Sequence, residues 1–207
     1  LTVNAVKEST GDDYFDSYVD VVGSLDGYDL PVSKFTEYEL LDGTMQNNIT
    51  FKEKRATADR VPLWHKENCI QCNQCTFVCP HATIRPFVLN DEQIAKLPED
   101  EREDVLNLMG GPNTKGLKFR IQVSPMNCVG CGICFVQCPG KGGKKALEMV
   151  EAKTQYHHEK AADILYKETE SRTDLFPLNT VKGAAFLPAY QEVSGACAGC
   201  GETPYYR

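Results

Sequence analysis

The chain has no long apolar run. Nowhere in its 207 residues does one approach the ~20 apolar positions that a membrane-crossing helix requires, so no span is expected. It has no surplus of positive charge. Asp and Glu number 29 against 22 Lys and Arg, a net charge of −7, which argues against nucleic acid as a main partner. Nothing resembles a targeting segment, and the expected setting is cytoplasmic. Tryptophan is nearly missing, Trp64 being the single one. The loop Pro139-Gly140-Lys141-Gly142-Gly143-Lys144-Lys145 lacks the spacing of a P-loop and the Ser or Thr that should follow its lysine, which excludes that motif.

Cysteine is what the chain has instead. Ten cysteines with no secretory signal call for metal rather than crosslinks. Cys69 to Pro80 reads C-I-Q-C-N-Q-C-T-F-V-C-P, and Cys128 to Pro139 reads C-V-G-C-G-I-C-F-V-Q-C-P. Both fit C-x-x-C-x-x-C-x-x-x-C-P, and an Asn precedes each, Asn68 and Asn127. Such a doubled run is the signature of a two-cluster ferredoxin module. A 4Fe–4S cube has four iron corners, and each needs a thiolate. Cysteines spaced by two on a tight loop reach three corners, and the fourth ligand comes from the last cysteine of the other run. Cys69, Cys72, Cys75 and Cys138 are therefore expected at one cluster, and Cys128, Cys131, Cys134 and Cys79 at the other. Pro80 and Pro139 discourage a helical conformation at the cysteine before them. Gly130 and Gly132 let backbone N–H groups approach sulfur. Zinc sites use pairs of cysteines well separated rather than four in so short a run, so a structural zinc protein is disfavoured.

The flanking pattern predicts a coarse fold. Tyr14, Phe15, Tyr18, Val19 and Val22 recur at helical spacing, which predicts a short amphipathic helix. Residues 26–60 read as loop-rich, with turn residues punctuating short extended pieces. Phe51-Lys52-Glu53-Lys54-Arg55 reads as a charge cluster, either a solvated face or an interdomain salt-bridge patch. Val61 to Trp64 and Thr83 to Leu89 read as edge strands around the first motif, because each contains a proline. Trp64 is expected to pack over a cluster. Asn90 is a helix N-cap, Pro98 ends that helix, and Glu99 to Met109 reads as a second one with its charge in solvent. Phe119 to Val123 and Ala146 to Val150 read as strands around the second motif. His157 to Thr169 reads as a helix with exposed histidines.

A third signal closes the chain: Cys197-Ala198-Gly199-Cys200-Gly201-Glu202. Taken alone, this pair could be a redox dithiol, half a zinc site or half of another cluster. The chain begins at Leu1 without an initiator Met and ends Tyr205-Tyr206-Arg207, so it is expected to be a segment of something longer.

Several stretches together resemble one family, the pyruvate:ferredoxin (or flavodoxin) oxidoreductases. Gly27-Tyr28-Asp29-Leu30-Pro31-Val32-Ser33-Lys34-Phe35 looks like its G-x-x-L-P-V-S-x-F. Glu53-Lys54-Arg55 matches the motif of its small linking domain. Trp64 and Cys69 through Arg85 are similar to its ferredoxin module. Val181-Lys182-Gly183, followed by Ser194 to Tyr205, looks like the start of its thiamine-diphosphate domain. The resemblance implies oxidative decarboxylation of pyruvate to acetyl-CoA on thiamine diphosphate with Mg, and electrons passed along three 4Fe–4S clusters. It implies that Cys197 and Cys200 supply half the ligands of the third cluster, and that Glu202 belongs to the thiamine site. No catalytic residue is expected in this stretch. Ferredoxin or flavodoxin is the implied acceptor, the remaining domains of the parent chain the implied neighbours, and a homodimer the implied assembly.

The resulting expectation is an α+β protein. A ferredoxin-like (βαβ)2 two-cluster domain with an insertion occupies 59–152, a loop-rich linking domain 1–58, and a connector with the start of a thiamine-diphosphate domain 153–207. Its expected role is electron transfer within a pyruvate oxidoreductase, with a free-standing electron carrier, or the same module of another 2-oxoacid oxidoreductase, as the alternative. Lys141, Lys144 and Lys145, just past Cys138, read either as a landing patch for an acidic carrier or as a solvated turn whose lysines offset nearby acids.

Overall fold

A computed structural model describes residues 9–46, 52, 54, 56–111 and 113–188. By its contacts the chain divides into two compact units, Leu1–Lys54 and Arg55–Arg207.

In the first unit the expected helix is present, with a twist in its geometry. Phe15–Val19 is π-helical and runs into α1, Asp20–Gly23. Tyr14, Phe15 and Tyr18 are buried, while Val22 is exposed. The wider i→i+5 turn rotates later residues off the buried face. Tyr14, Tyr18 and Leu40 form a small core. The Tyr14 and Tyr18 rings stack at 5.5 Å, and Tyr38 meets Tyr14 edge-on at 5.0 Å. The expected extended pieces are a correction: a 3₁₀ turn at Gly27–Asp29 and helix α2, Ser33–Glu37, stand there instead. An isolated strand has no partner for its backbone groups, whereas a helical turn satisfies them locally. Glu53 and Arg55 lie outside the described residues.

The second unit is a mixed α/β structure. In chain order it runs β1 (Arg60–Trp64), α3 (Gln74–Phe77), β2 (Ile84–Leu89), α4 (Asp91–Ala95), β3 (Leu106–Asn107), β4 (Lys118–Val123), α5 (Ile133–Gln137), β5 (Leu147–Glu151), α6 (Glu159–Glu168) and α7 (Val181–Ala184). Each cysteine motif is thus flanked by two strands and carries one short helix. The strands pair across the repeats. β1 is antiparallel to β5, from Arg60 opposite Glu151 to Trp64 opposite Leu147. β2 is antiparallel to β4, from Ile84 opposite Val123 to Leu89 opposite Lys118, and β3 adds to the far edge of β4. Pro62 and Pro86 sit on edge strands, where a missing N–H costs no ladder bond.

Strand pleating sorts the side chains. Ile84 and Val88 join Phe119, Ile121 and Val123 in the main core, together with Cys134 and Cys138. Phe87 and Leu89, on the opposite face, pack with Leu97 and with Ala161 and Leu165 of α6. Asn90 caps α4 as expected, with Asn90 Oδ1 accepting from Gln93 N at 2.8 Å and Gln93 Oε1 from Asn90 N at 2.9 Å.

The second expected helix, Glu99 to Met109, is not formed. A 3₁₀ turn, Glu99–Glu101, leads into β3. A helix would place Glu99 beside Glu103 and Asp100 beside Asp104, like charges at i,i+4. The strand offers cross-strand partners at Phe119 and Lys118 instead. Nor is this insertion's charge all solvated. Glu101 is 1% exposed and pairs with the buried Arg120 and with His158. His158 is therefore engaged rather than free, and α6 begins only at Glu159, after a 3₁₀ stretch at Ala152–His158.

That triad generates a prediction. Burial works to raise the Glu101 pKa, but His158 and Arg120 outweigh it and hold the carboxyl at about 2, against an ordinary 4.5. A depressed folded-state pKa stabilises the fold above the unfolded value, and the benefit falls away as pH drops from 4.5 toward about 2. Glu101→Gln should cost about 3 kcal/mol at neutral pH, because Arg120 is left buried without its counter-charge. Denaturant unfolding at pH 7 measures it, and a cost below about 1 kcal/mol would contradict the assignment.

Candidate metal centres

The cysteines meet in two groups, and neither group is a single motif. One pocket is lined by Cys69, Cys72 and Cys75 with Cys138; a second by Cys128, Cys131 and Cys134 with Cys79. The pockets are of similar size, ≈ 340 and ≈ 380 Å³. α3 carries Cys75 and α5 carries Cys134, and the two helices pack on each other. Cys138 leaves α5 in an extended conformation, ψ 115°, immediately before Pro139.

The two loops share one backbone path. Gln71 and Asn73 have φ of 55° and 60°, and their counterparts Gly130 and Gly132 have 70° and 74°. In each loop the residue two beyond the first cysteine turns its N–H onto that sulfur: Gln71 N to Cys69 Sγ and Gly130 N to Cys128 Sγ, both at 3.4 Å. Ala146 N adds a bond to Cys138 Sγ at 3.2 Å. N–H dipoles aimed at sulfur favour the thiolate form. Gly130 has a second reason to be glycine, since a Cβ there would lie 2.8 Å from the Arg60 carbonyl oxygen.

Burial pushes the Cys128 and Cys134 thiols up to about 12, neighbouring sulfurs adding to the effect. Burial likewise raises Cys69 and Cys75. Such thiols stay protonated at neutral pH unless a cation takes the proton's place, which is what a metal centre supplies. A single zinc with Zn–S of about 2.3 Å would bring its sulfurs to about 3.8 Å from one another. Among the described residues, the ligand atoms that lie within 4.8 Å of one another in a group of three belong to Glu101, His157 and His158, with no cysteine trio. At least one sulfur pair in any cysteine trio is therefore wider than a single tetrahedral zinc allows, as ligands on separate corners of a cube require. The donor sets therefore fit 4Fe–4S centres. The Glu101 group is no rival, since its carboxylate already serves Arg120.

Comparison with known proteins agrees. Residues 68–142 match the 4Fe-4S dicluster domain family. The pyruvate:ferredoxin oxidoreductase of Moorella thermoacetica is 44% identical over 187 residues, 90% of this chain and 15% of that protein. The pyruvate-flavodoxin oxidoreductase of Klebsiella pneumoniae is 42% identical over 87% of this chain and 15% of its own length. The mitochondrial pyruvate dehydrogenase [NADP(+)] of Euglena gracilis is 38% identical over 99% of this chain and 11% of its own. Over most of its length the chain is similar to one segment of pyruvate:ferredoxin and pyruvate-flavodoxin oxidoreductases. It spans about 15% of the length of the first two of these relatives.

Two features of the site escaped sequence reading. Gln71 and Asn73 hold left-handed positions without being glycine because their side chains anchor them. Gln71 Nε2 donates to Asn107 O at 2.8 Å, and its Oε1 accepts from Met109 N at 2.9 Å. Asn73 Nδ2 donates to Lys182 O at 3.0 Å. Aligning the two motifs would have flagged them, since they stand opposite glycines. The basic patch also needs correction. Lys145 Nζ donates to Phe135 O, Val136 O and Cys138 O at 2.8, 2.9 and 3.1 Å, so its charge caps α5 rather than facing a partner. Lys141 and Lys144 remain exposed. Trp64 lines the first pocket beside Cys69. Cys197, Cys200 and Glu202 lie outside the described residues.

The two glycines of the second loop make a paired prediction. Gly130→Ala should strip iron from the Cys128 group, because the methyl meets backbone that cannot yield. Gly132→Ala has nothing within 4 Å of its Cβ and meets only the positive-φ penalty, about 1 kcal/mol. Iron per protein after anaerobic preparation should fall by about half in the first variant, by the two-cluster count, and stay unchanged in the second. Equal iron in both would contradict the close approach.

Proposed function

We propose that this chain relays electrons through two 4Fe–4S clusters inside a pyruvate:ferredoxin/flavodoxin oxidoreductase. The observation that supports this most is the sorting of cysteines, three from one motif with the last of the other, into two pockets. Cys69, Cys72, Cys75 and Cys138 would hold one cluster, and Cys128, Cys131, Cys134 and Cys79 the other. The clusters supply one-electron chemistry when bound. The chain's own part is to fix the thiolates, aim N–H groups at sulfur and keep the pockets apolar. Packing of α3 against α5 keeps the two pockets adjacent.

The finer architecture in this reading is the (βαβ)2 ferredoxin-like unit at 59–152, with 1–58 as linking domain and 153–207 as the lead into a thiamine-diphosphate domain. There Cys197 and Cys200 would give half the ligands of a third cluster, and Glu202 would contact thiamine diphosphate beside Mg. The reaction would be pyruvate oxidation to acetyl-CoA, in a cytoplasmic homodimer. The relatives' names specify ferredoxin, flavodoxin and NADP(+), yet all share this segment. That variety favours a role inside the enzyme, upstream of whichever acceptor is used. Ferredoxin or flavodoxin is the acceptor proposed here.

Two measurements test the reading. Anaerobic reconstitution should load about eight irons on this chain, four per cluster. Zinc at stoichiometric level with no iron would refute it. Cys138→Ser should remove the spectroscopic signal of the cluster held by Cys69, Cys72 and Cys75, and loss of only the other signal would refute the cross-over.

A further inference from the structure

Two lysine ammonium groups are tied to backbone carbonyls of segments that adjoin the residues of the first pocket. Lys145 is tied to the end of α5, and its removal would loosen the helix that carries Cys134. Lys182 is a different case, because it reaches the pocket from α7, beyond both motifs. Its Nζ donates to Met109 O at 2.7 Å and stands 4.3 Å from the centre of the Phe176 ring. Its carbonyl accepts from Asn73, which lies between Cys72 and Cys75. Met109 in turn donates its N–H to Gln71, whose own N–H meets Cys69 Sγ. The first cluster loop thus grips Lys182 directly through Asn73 and indirectly through Met109.

The segment that presents it has little freedom. Thr180 caps α7, accepting from Gly183 N at 3.1 Å. A Cβ on Gly183 would lie 2.1 Å from Pro177 O, so only glycine lets the helix sit this close. Phe176 and Phe186 stack at 5.7 Å and hold the two ends of the segment together. Lys182 is half-buried. Desolvation lowers its pKa, while Cys69 and Cys72 pull it the other way. The loop that its hydrogen bonds reach is the one that carries Cys69, Cys72 and Cys75.

We propose that Lys182 is a fixed positive charge that raises the reduction potential of the first cluster more than that of the second, delivered by the docking of residues 176–187. This rests on the cluster reading above. Reducing a 4Fe–4S centre adds one negative charge to it. A cation tied in one place against the first cysteine loop stabilises that added charge, so the electron settles preferentially at the nearer centre. The two clusters, built on the same motif, are then made unequal by a residue outside both motifs. Undocking of the segment would lower the first potential, which links the potential to the packing of the chain that leads toward Cys197.

The test is an EPR-monitored redox titration of anaerobically prepared holoprotein. The first-cluster signal is identified as the one lost in Cys138→Ser. Lys182→Met keeps the side chain's length and removes its charge. At a fixed potential it should raise the oxidised-to-reduced ratio of the first cluster about tenfold, a ~59 mV negative displacement for a one-electron couple. The second cluster should move less, and iron content should be unchanged. Lys182→Arg should keep the unsubstituted ratio. An unmoved ratio in Lys182→Met at full iron content overturns the proposal. So does an equal displacement of both clusters, or a displacement in Lys182→Arg as large as in Lys182→Met, since either marks a packing role. Should Lys182→Met lose iron, Lys182→Gln carries the same expectation. Iron missing from the unsubstituted protein overturns the cluster reading itself.

Discussion

Antiparallel pairing across the two repeats is the constraint on which the second unit depends. Neither motif can complete a sheet from its own strands. β1 finds its partner in β5 and β2 in β4, so the halves must fold against each other. That interlock carries the last cysteine of each run to the far pocket. Cys138 arrives beside Cys69, Cys72 and Cys75, and Cys79 beside Cys128, Cys131 and Cys134. The same pairing buries Cys134 and Cys138 in the core with Phe119, Ile121 and Leu147. A thiol so placed is a poor acid, which is why the metal and the fold belong to one argument.

The two loops reach one geometry by different means. The second meets its positive φ angles with glycine and is steadied from behind by Glu159. That buried carboxylate accepts from Ser124 Oγ at 2.8 Å and Met126 N at 3.0 Å, just ahead of Cys128. The first loop meets the same angles with Gln71 and Asn73, whose buried amides bond to Asn107, Met109 and Lys182. Strain in one loop is thereby offset by tertiary bonds, and in the other it is avoided by residue choice. The consequence is unequal surroundings. The first pocket is tied to the insertion and the C-terminal segment, and the second to the start of α6.

Charge is deployed inward as well as outward. The acidic insertion sends Glu101 beneath the sheet to Arg120 and His158, on the face of β4 opposite the cysteine-bearing core. Lys145 and Lys182 spend their ammonium groups on backbone carbonyls near the first pocket. A net charge of −7 describes none of these placements.

The cysteine spacing, the strands around each motif and the Asn90 cap were legible in the sequence, because each rests on local chemistry. A ligand loop needs its spacing, a strand its alternation and a helix its capping residue. The strand Phe119 to Val123 was legible, but not that both of its faces would be buried. Arg120 and Gln122 are covered because residues far along the chain, Glu101 and the stretch up to His158, come to lie over them. The same holds for the helix that did not form at 99–109, displaced by pairing with β4, and for Lys145, turned from partner surface to helix cap. The stretch Val181-Lys182-Gly183 was legible as part of a different domain, but nothing local set Lys182 near the cysteines, since it lies 110 positions beyond Cys72 and is brought to that loop only by packing. Sequence by itself pointed to the residues that could bind metal, because ligand spacing is local. Tertiary structure decided which charges would stand beside them, because burial and long-range contact are properties of the folded chain and not of any stretch of it.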